Sequence, residues 1–151
     1  MSKINFLSIV LMTALLSSCG FHTPYKNTSI INASIISSAN NAFTTELKKR
    51  FNQEATQSLT IQIGNEVQKK QTSSYKSDGK ASSYTLSLSV PIKVFNNDNK
   101  LLLSKNLNAS IHLSKMSATQ ADRLQIEENY EQLRNTIIKK LLRRLSKLNE
   151  N

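Results

Sequence analysis

Three kinds of residue in this chain could do chemistry: one cysteine, two histidines and ten carboxylates. Cys19 has no second cysteine to pair with, so its thiol is left as a nucleophile or an acyl acceptor. His22 follows shortly after it, and His112 stands alone among Asn108, Ser110 and Ser114. A metal centre needs several ligands at compatible spacing, and two isolated histidines do not supply one. Asp78-Gly79 and Asp98 fall in turn-forming stretches, where both residue types serve the backbone. Gly20, Gly64 and Gly79 are too far apart for a phosphate-cradling loop. Nothing proposes a nucleophile paired with a base, so no catalytic residue, metal ligand or cofactor is expected.

Cys19 remains, and its context is specific. Lys3 gives a short basic start, residues 4–16 are apolar and uncharged, and Leu16-Ser17-Ser18 leads into the cysteine. A basic start, an apolar core of roughly 7–15 residues and small residues before the cleavage point make a secretory signal. As a helix the run would rise about 20 Å, short of the ~30 Å hydrocarbon core of a bilayer, so it reads as a leader and not as a membrane span. Leu-Ser-Ser-Cys matches the bacterial lipobox, in which the thiol is acylated before cleavage and the freed amine afterwards. Several acyl chains on one residue exceed the two signals that stable anchoring takes. Gly20 rather than Asp follows the cysteine, an outer-membrane type of address.

The expected organisation is a signal at residues 1–18, a lipidated tether at 19–28 and one small α/β domain at 29–151. Losing Lys3 with the leader lowers Lys+Arg from 20 to 19 against 10 acids. That balance favours anionic partners, which for a secreted chain means lipid phosphates and lipopolysaccharide and not nucleic acid.

Within the domain, residues 29–36 (SIINASII) read as a strand. Asn40 or Asn41 can cap a helix reaching about residue 52, with Phe43, Leu47 and Phe51 on one stripe. Leu59, Ile61, Ile63 and Val67 then fall on one face of a second strand. Tyr84, Leu86, Leu88, Val90, Ile92 and Val94 form a long third one, and Leu101, Leu103, Leu107, Ala109, Ile111 and Leu113 a fourth. A period of two with one apolar face predicts an antiparallel meander covered on one side. Pro91 has no N–H for the ladder and marks an edge or a bulge. From Ser117 the period becomes three or four: Ile126, Tyr130, Leu133, Ile137, Leu141, Leu145 and Leu148 make a long amphipathic helix, which Thr119 and Asp122 can cap. Its acids crowd the first half and its cations the second, as the helix dipole favours, so KKLLRRLSK reads as a solvated helix end before a nucleic-acid patch. The order β-α-β-β-β-α predicts a two-layer α/β sandwich: a four-stranded mixed sheet with both helices on one face, the first two strands parallel through a right-handed crossover.

Strand directions carry a site expectation. The loop before the long strand, the end of the last strand and the starts of both helices should share one pole. Lys69, Lys70, Lys76, Lys80, Lys115 and Arg123 would gather there around helix N-termini, which attract anions. Lys76, Lys80, Lys115 and Arg123 are the candidate lipid A phosphate ligands, with Lys76 and Arg123 first; the same lysines could equally serve solubility.

Gly20-Phe21-His22 after the lipobox, the stretch Asp78-Gly79-Lys80-Ala81-Ser82-Ser83-Tyr84-Thr85-Leu86-Ser87-Leu88 and the ending Ile138-Lys139-Lys140-Leu141-Leu142-Arg143-Arg144-Leu145 resemble the LptE (RlpB) family of lipopolysaccharide-assembly lipoproteins. Thr23-Pro24 departs from the leucine or arginine that commonly follows the histidine there. The resemblance implies a non-enzymatic outer-membrane lipoprotein, periplasmic-facing, that plugs the LptD β-barrel, helps it assemble and assists lipopolysaccharide to the outer leaflet. The alternative is a lipoprotein that tethers or activates another envelope enzyme, such as a peptidoglycan synthase; a lipid-anchored hydrolase comes third. Replacing Cys19 by Ser removes the only thiol able to accept lipid. The variant should take up no labelled fatty acid and persist as an uncleaved or soluble precursor; labelling equal to that of the parent chain would end the lipoprotein assignment.

Overall fold

The computed structural model describes residues 32–37, 41–52 and 54–148. Cys19, the leader, the tether and residues 29–31 of the expected first strand lie outside the described residues. In chain order the elements are β1 (Ala33–Ser37), α1 (Ala42–Lys48), β2 (Leu59–Ile63), β3 (Val67–Tyr75), β4 (Ala81–Asn96), β5 (Leu101–Ser114) and α2 (Thr119–Leu148).

β4 is the spine. Its even-numbered residues from Tyr84 to Val94 are all buried, the alternation expected of a strand with one covered face. β5 runs antiparallel along one edge of β4, and β2 and β3 follow one another along the other. β1 lies outside β2 and parallel to it, joined through α1 as a crossover connection requires. Both helices pack on the apolar face: Phe43 and Leu47 from α1, and Tyr130, Leu133, Ile137, Ile138, Leu141 and Leu145 from α2.

The sheet has five strands where the sequence predicts four, because the expected second strand breaks at Gly64–Glu66. Ile63 pairs with Ile92, whereas Val67 pairs with Ser89. The edge therefore carries one residue more than β4 does over the same interval, which is a bulge. One extra residue swaps the faces of everything beyond it. Val67, expected on the apolar face with Ile63, is instead 57% exposed. Pro91 explains why the break falls here. The Gly64 N–H donates to the Pro91 carbonyl at 2.9 Å, so the side of Pro91 that lacks an N–H faces this edge. Gly64 also lets the chain come close, since a Cβ there would lie 3.2 Å from the Pro91 Cβ. A second irregularity, between Val94 and Phe95, sets Leu101 opposite Phe95 and leaves it exposed, against the expected apolar alternation.

The helix caps are local. Asn41 Oδ1 accepts from the Thr44 N–H at 2.9 Å. Asp122 is buried and reaches back to accept from the Met116 N–H at 2.8 Å, fixing the entry into α2. α1 ends at Lys48, short of the expected residue 52, and Phe51 packs on the core from the following turn.

Glu66, in the bulge, holds the two layers together. It accepts from Arg134 Nε at 3.1 Å and Nη2 at 2.9 Å, with side-chain exposures of 7% for Glu66 and 16% for Arg134. The Phe43 N–H, in the first turn of α1, donates to the same carboxylate. Burial pushes the Glu66 pKa up, but the bonds from Arg134, Gln68 and Phe43 outweigh it and hold the group below the ordinary 4.5. A depressed folded-state pKa gives stability that is complete above the unfolded value and lost as pH falls through the folded one. Glu66→Gln should therefore cost about 3 kcal/mol at neutral pH, since Arg134 is left without its counter-charge. The gap to wild type in urea unfolding should narrow as the pH drops below 4.5. A gap that stayed constant with pH would show that the Glu66 charge carries none of it.

Candidate functional site

Two ends of the sandwich carry different chemistry. The entry end is where the chain arrives at β1, beside the start of β2 and the end of β4. The distal end holds the β3–β4 turn, the end of β5 and the start of α2.

All four candidate phosphate ligands lie at the distal end. Lys76 and Lys80 close the β3–β4 turn, the Lys76 N–H donating to the Lys80 carbonyl at 2.8 Å. Gly79 takes the positive φ of 78° that this turn needs. The Lys115 N–H donates to the Ser82 carbonyl at 2.9 Å, bringing the end of β5 beside that turn. Arg123 stands in the first turns of α2. Lys80 pairs with Asp78 at 3.3 Å and Arg123 with Glu127 at 3.1 Å, both in the open. The Lys80 backbone N–H and ammonium keep the Asp78 carboxyl below its usual range. Exposed pairs of this kind contribute little and exchange readily for a better anion. Among the described residues the side chains of Lys76 and Lys115 make no hydrogen bond or ion pair.

Two expectations about this end are corrected. Lys69 and Lys70 lie on β3 and not in a loop, and Lys70 Nζ sits 4.8 Å from the ring centroid of Tyr84. The start of α1 is set back from the β3–β4 turn. Ser37, the last residue of β1, pairs with Ile63 opposite Ile92, and from there β4 runs back to Ser83 over about 30 Å at ~3.3 Å per residue. The reason is again the bulge: β1 pairs only with β2, which stops there. The N-terminus of α2 stands at the distal end, and that of α1 is set back from it, with Ala42 lining a groove shared with Leu124 and Glu127.

Sequence reasoning missed the apolar half of this end. Tyr75, Met116 and Leu124 are 67%, 42% and 53% exposed. Each neighbours a candidate cation in sequence: Tyr75-Lys76, Lys115-Met116, Arg123-Leu124. That adjacency was the available signal. Arg123 and Leu124 line an open groove of about 570 Å³ with Thr119, Gln120 and Glu127. Cations interleaved with exposed apolar side chains suit an amphiphile that carries anionic groups and hydrocarbon together.

The entry side is more strongly cationic, with Leu101 exposed beside Lys100. Among the described residues Lys48, Lys49, Arg50, Lys93, Lys100 and Lys105 join Lys139, Lys140, Arg143, Arg144 and Lys147 there, opposed by Glu46, Glu54 and Asp98. On the distal side Lys69, Lys70, Lys76, Lys80, Lys115, Arg123 and Arg134 are nearly balanced by Glu66, Asp78, Asp122, Glu127, Glu128 and Glu131. The net positive charge is thus concentrated toward the entry end. His112 is exposed on the outer sheet face, its Nδ1 3.5 Å from Thr85 Oγ1, and among the described residues no group of His, Cys, Asp and Glu could hold a metal ion.

Fold and site together define an α/β sandwich that presents charge and apolar surface to other molecules. The chain belongs to the LptE family, "Lipopolysaccharide-assembly", whose model matches residues 27–145. Members are non-enzymatic lipoproteins of lipopolysaccharide assembly. No curated protein sequence is recognisably similar. Among solved structures the fold is similar to rare lipoprotein B from Shewanella oneidensis, with TM-score 0.69 and 14% identity over 80% of this chain and 97% of that one. Lipoprotein B from Nitrosomonas europaea has TM-score 0.65 and 18% identity over 80% and 85% of the two chains. A minor lipoprotein from Acinetobacter baumannii has TM-score 0.53 and 15% identity over 78% and 91%. At these identities the likeness concerns the fold, and it supports the α/β sandwich with both helices on one side of a mixed sheet.

Proposed function

We propose that this chain is an outer-membrane lipoprotein held by acyl chains on Cys19, facing the periplasm, which plugs and helps assemble an LptD-type β-barrel and receives lipopolysaccharide at its distal end. Family membership supports the assembly role. The observation that carries the site is the alternation of Lys76, Lys115 and Arg123 with exposed Tyr75, Met116 and Leu124. Lipid A offers phosphates and acyl chains side by side, and this end offers a counterpart to each. Charge-assisted contacts to phosphate are among the stronger hydrogen bonds. The N-terminus of α2 adds its partial positive charge beside them.

Partnership is tested by purifying the tagged chain from outer membranes. A large β-barrel should come with it; a peptidoglycan synthase in its place would favour the activator reading.

The site is tested by replacing Lys76, Lys80 and Arg123 together with Ser. Their side chains are exposed and outside the core, so the melting temperature should hold. Lipopolysaccharide binding should weaken about tenfold, roughly 1.4 kcal/mol. Removing Lys93, Lys100 and Lys139 takes away the same charge elsewhere and should change binding much less. The comparison is made at low and moderate salt, because diffuse attraction fades with screening. Equal weakening by the two triples would leave the distal end no special role.

A further inference from the structure

The concentration of charge on the entry side is not used by the distal site. Lys140, Arg143, Arg144 and Lys147 recur at intervals of three and four, so they form one stripe along the last turns of α2. The stripe faces the free edge of β5, and together they enclose an open groove of about 510 Å³ floored by Asn106, Leu107 and Asn108. Lys140 Nζ donates to the Asn108 carbonyl at 2.7 Å, which fixes the flank of the groove against the strand. Among the described residues neither β5 nor α2 after Glu131 carries a carboxylate. Lys48 adds a further cation at the end of α1, beside Ala33 and Ser34 where the chain enters the sheet.

We propose that this stripe, with Lys48, seats the entry end of the domain on the anionic phospholipid headgroups of the membrane surface. Two observations choose that occupant. The stripe sets four cations along one helix face with no acidic residue of α2 after Glu131 between them, which suits a plane of anionic phosphates. The floor of the groove lies level with Ser89–Pro91, about 20 Å along the sheet from Ala33, where the N-terminal chain enters. The residues between Cys19 and Asn32 can span at most about 40 Å even fully extended. A lipid on Cys19 therefore keeps this end within reach of headgroups, and a cationic face there completes a two-signal attachment. The proposal rests on acylation of Cys19 for that nearness, whereas the headgroup contact itself does not need the lipid.

The test separates the two. The mature chain, residues 19–151, carrying Cys19→Ser is mixed with vesicles of phosphatidylcholine alone or with roughly a third phosphatidylglycerol, and sedimented with them. It should bind the anionic vesicles and not the neutral ones. Arg143→Gln with Arg144→Gln should weaken partition roughly twentyfold, from about a fivefold loss per cation near an anionic surface. Lys69→Gln with Lys93→Gln removes the same charge from the outer sheet face and should weaken it less than about twofold. Equal losses in the two doubles, no loss in the first, or no binding of the parent to anionic vesicles would each overturn the proposal. So would a first double that lost lipopolysaccharide but kept phosphatidylglycerol, which would assign the groove to lipopolysaccharide. Fatty-acid labelling reads the Cys19 assignment independently, so either idea can fail alone.

Discussion

The Glu66–Arg134 pair is the constraint on which the rest of the architecture depends. A carboxylate this buried is costly unless its oxygens are satisfied. Here they are met by a guanidinium fork from α2 and by the first turn of α1, through the Phe43 N–H. One side chain thus pins the bulge in the sheet, the start of one helix and the middle of the other. None of the three could move alone without leaving one of two largely buried charges unpaired.

The bulge then divides the sheet. On its entry side β4 is flanked by β2 and β5, β1 extends the sheet, and both helices cover the apolar face. On its distal side the edge is β3, exposed along almost its whole length on both faces. The distal part of the sheet therefore projects as a polar ribbon, backed by α2 only over β4 and β5. Inversion of the strand faces at the bulge makes that ribbon possible: it moves Val67 out of the core and places Gln68, Lys70 and Thr72 on the side that Leu59, Ile61 and Ile63 occupy before the break. A continuous alternation would have put Val67 and Tyr75 on the covered face beside Lys69, Gln71 and Ser73.

Much of this was readable from residue patterns, and most of the sheet that was not traces to one residue. The alternation in β4, the stripe in α2 and the cap at Asn41 are local signals, repeated over many residues and hard to mistake. Pro91 announced a bulge or an edge. It could not say which neighbour would yield, because that depends on the direction in which its missing N–H points across the sheet. From that ambiguity follow the extra strand and the exposure of Val67. Lys76, Lys80, Lys115 and Arg123 were placed at one end correctly, since hairpin connectivity alone brings them there. Tyr75, Met116 and Leu124 were not singled out, because an apolar residue next to a turn looks the same in sequence whether it is covered or bare.

The two proposed lipid contacts differ in what surrounds the cations, and that difference decides which molecule each end can hold. A lysine among amides and other cations attracts any phosphate, and a membrane supplies phosphates in a plane that many such lysines can meet at once. A lysine beside an exposed tyrosine, methionine or leucine gains when the phosphate brings hydrocarbon with it, since the apolar neighbour is then taken out of water as well. Burying a leucine-sized side chain contributes roughly 1.5–3 kcal/mol, comparable to a charge-assisted hydrogen bond. At the distal end the two contributions come from adjacent residues, so a headgroup alone forfeits about half of what an amphiphile gains. Along the α2 stripe four cations follow one another with no acidic residue of the helix between them, so charge is the larger share of what a ligand gains there. An intact membrane presents many phosphates to such a stripe at once, whereas the distal cations, most of them offset by nearby acids, gain most from a phosphate that brings its own hydrocarbon to Tyr75, Met116 and Leu124.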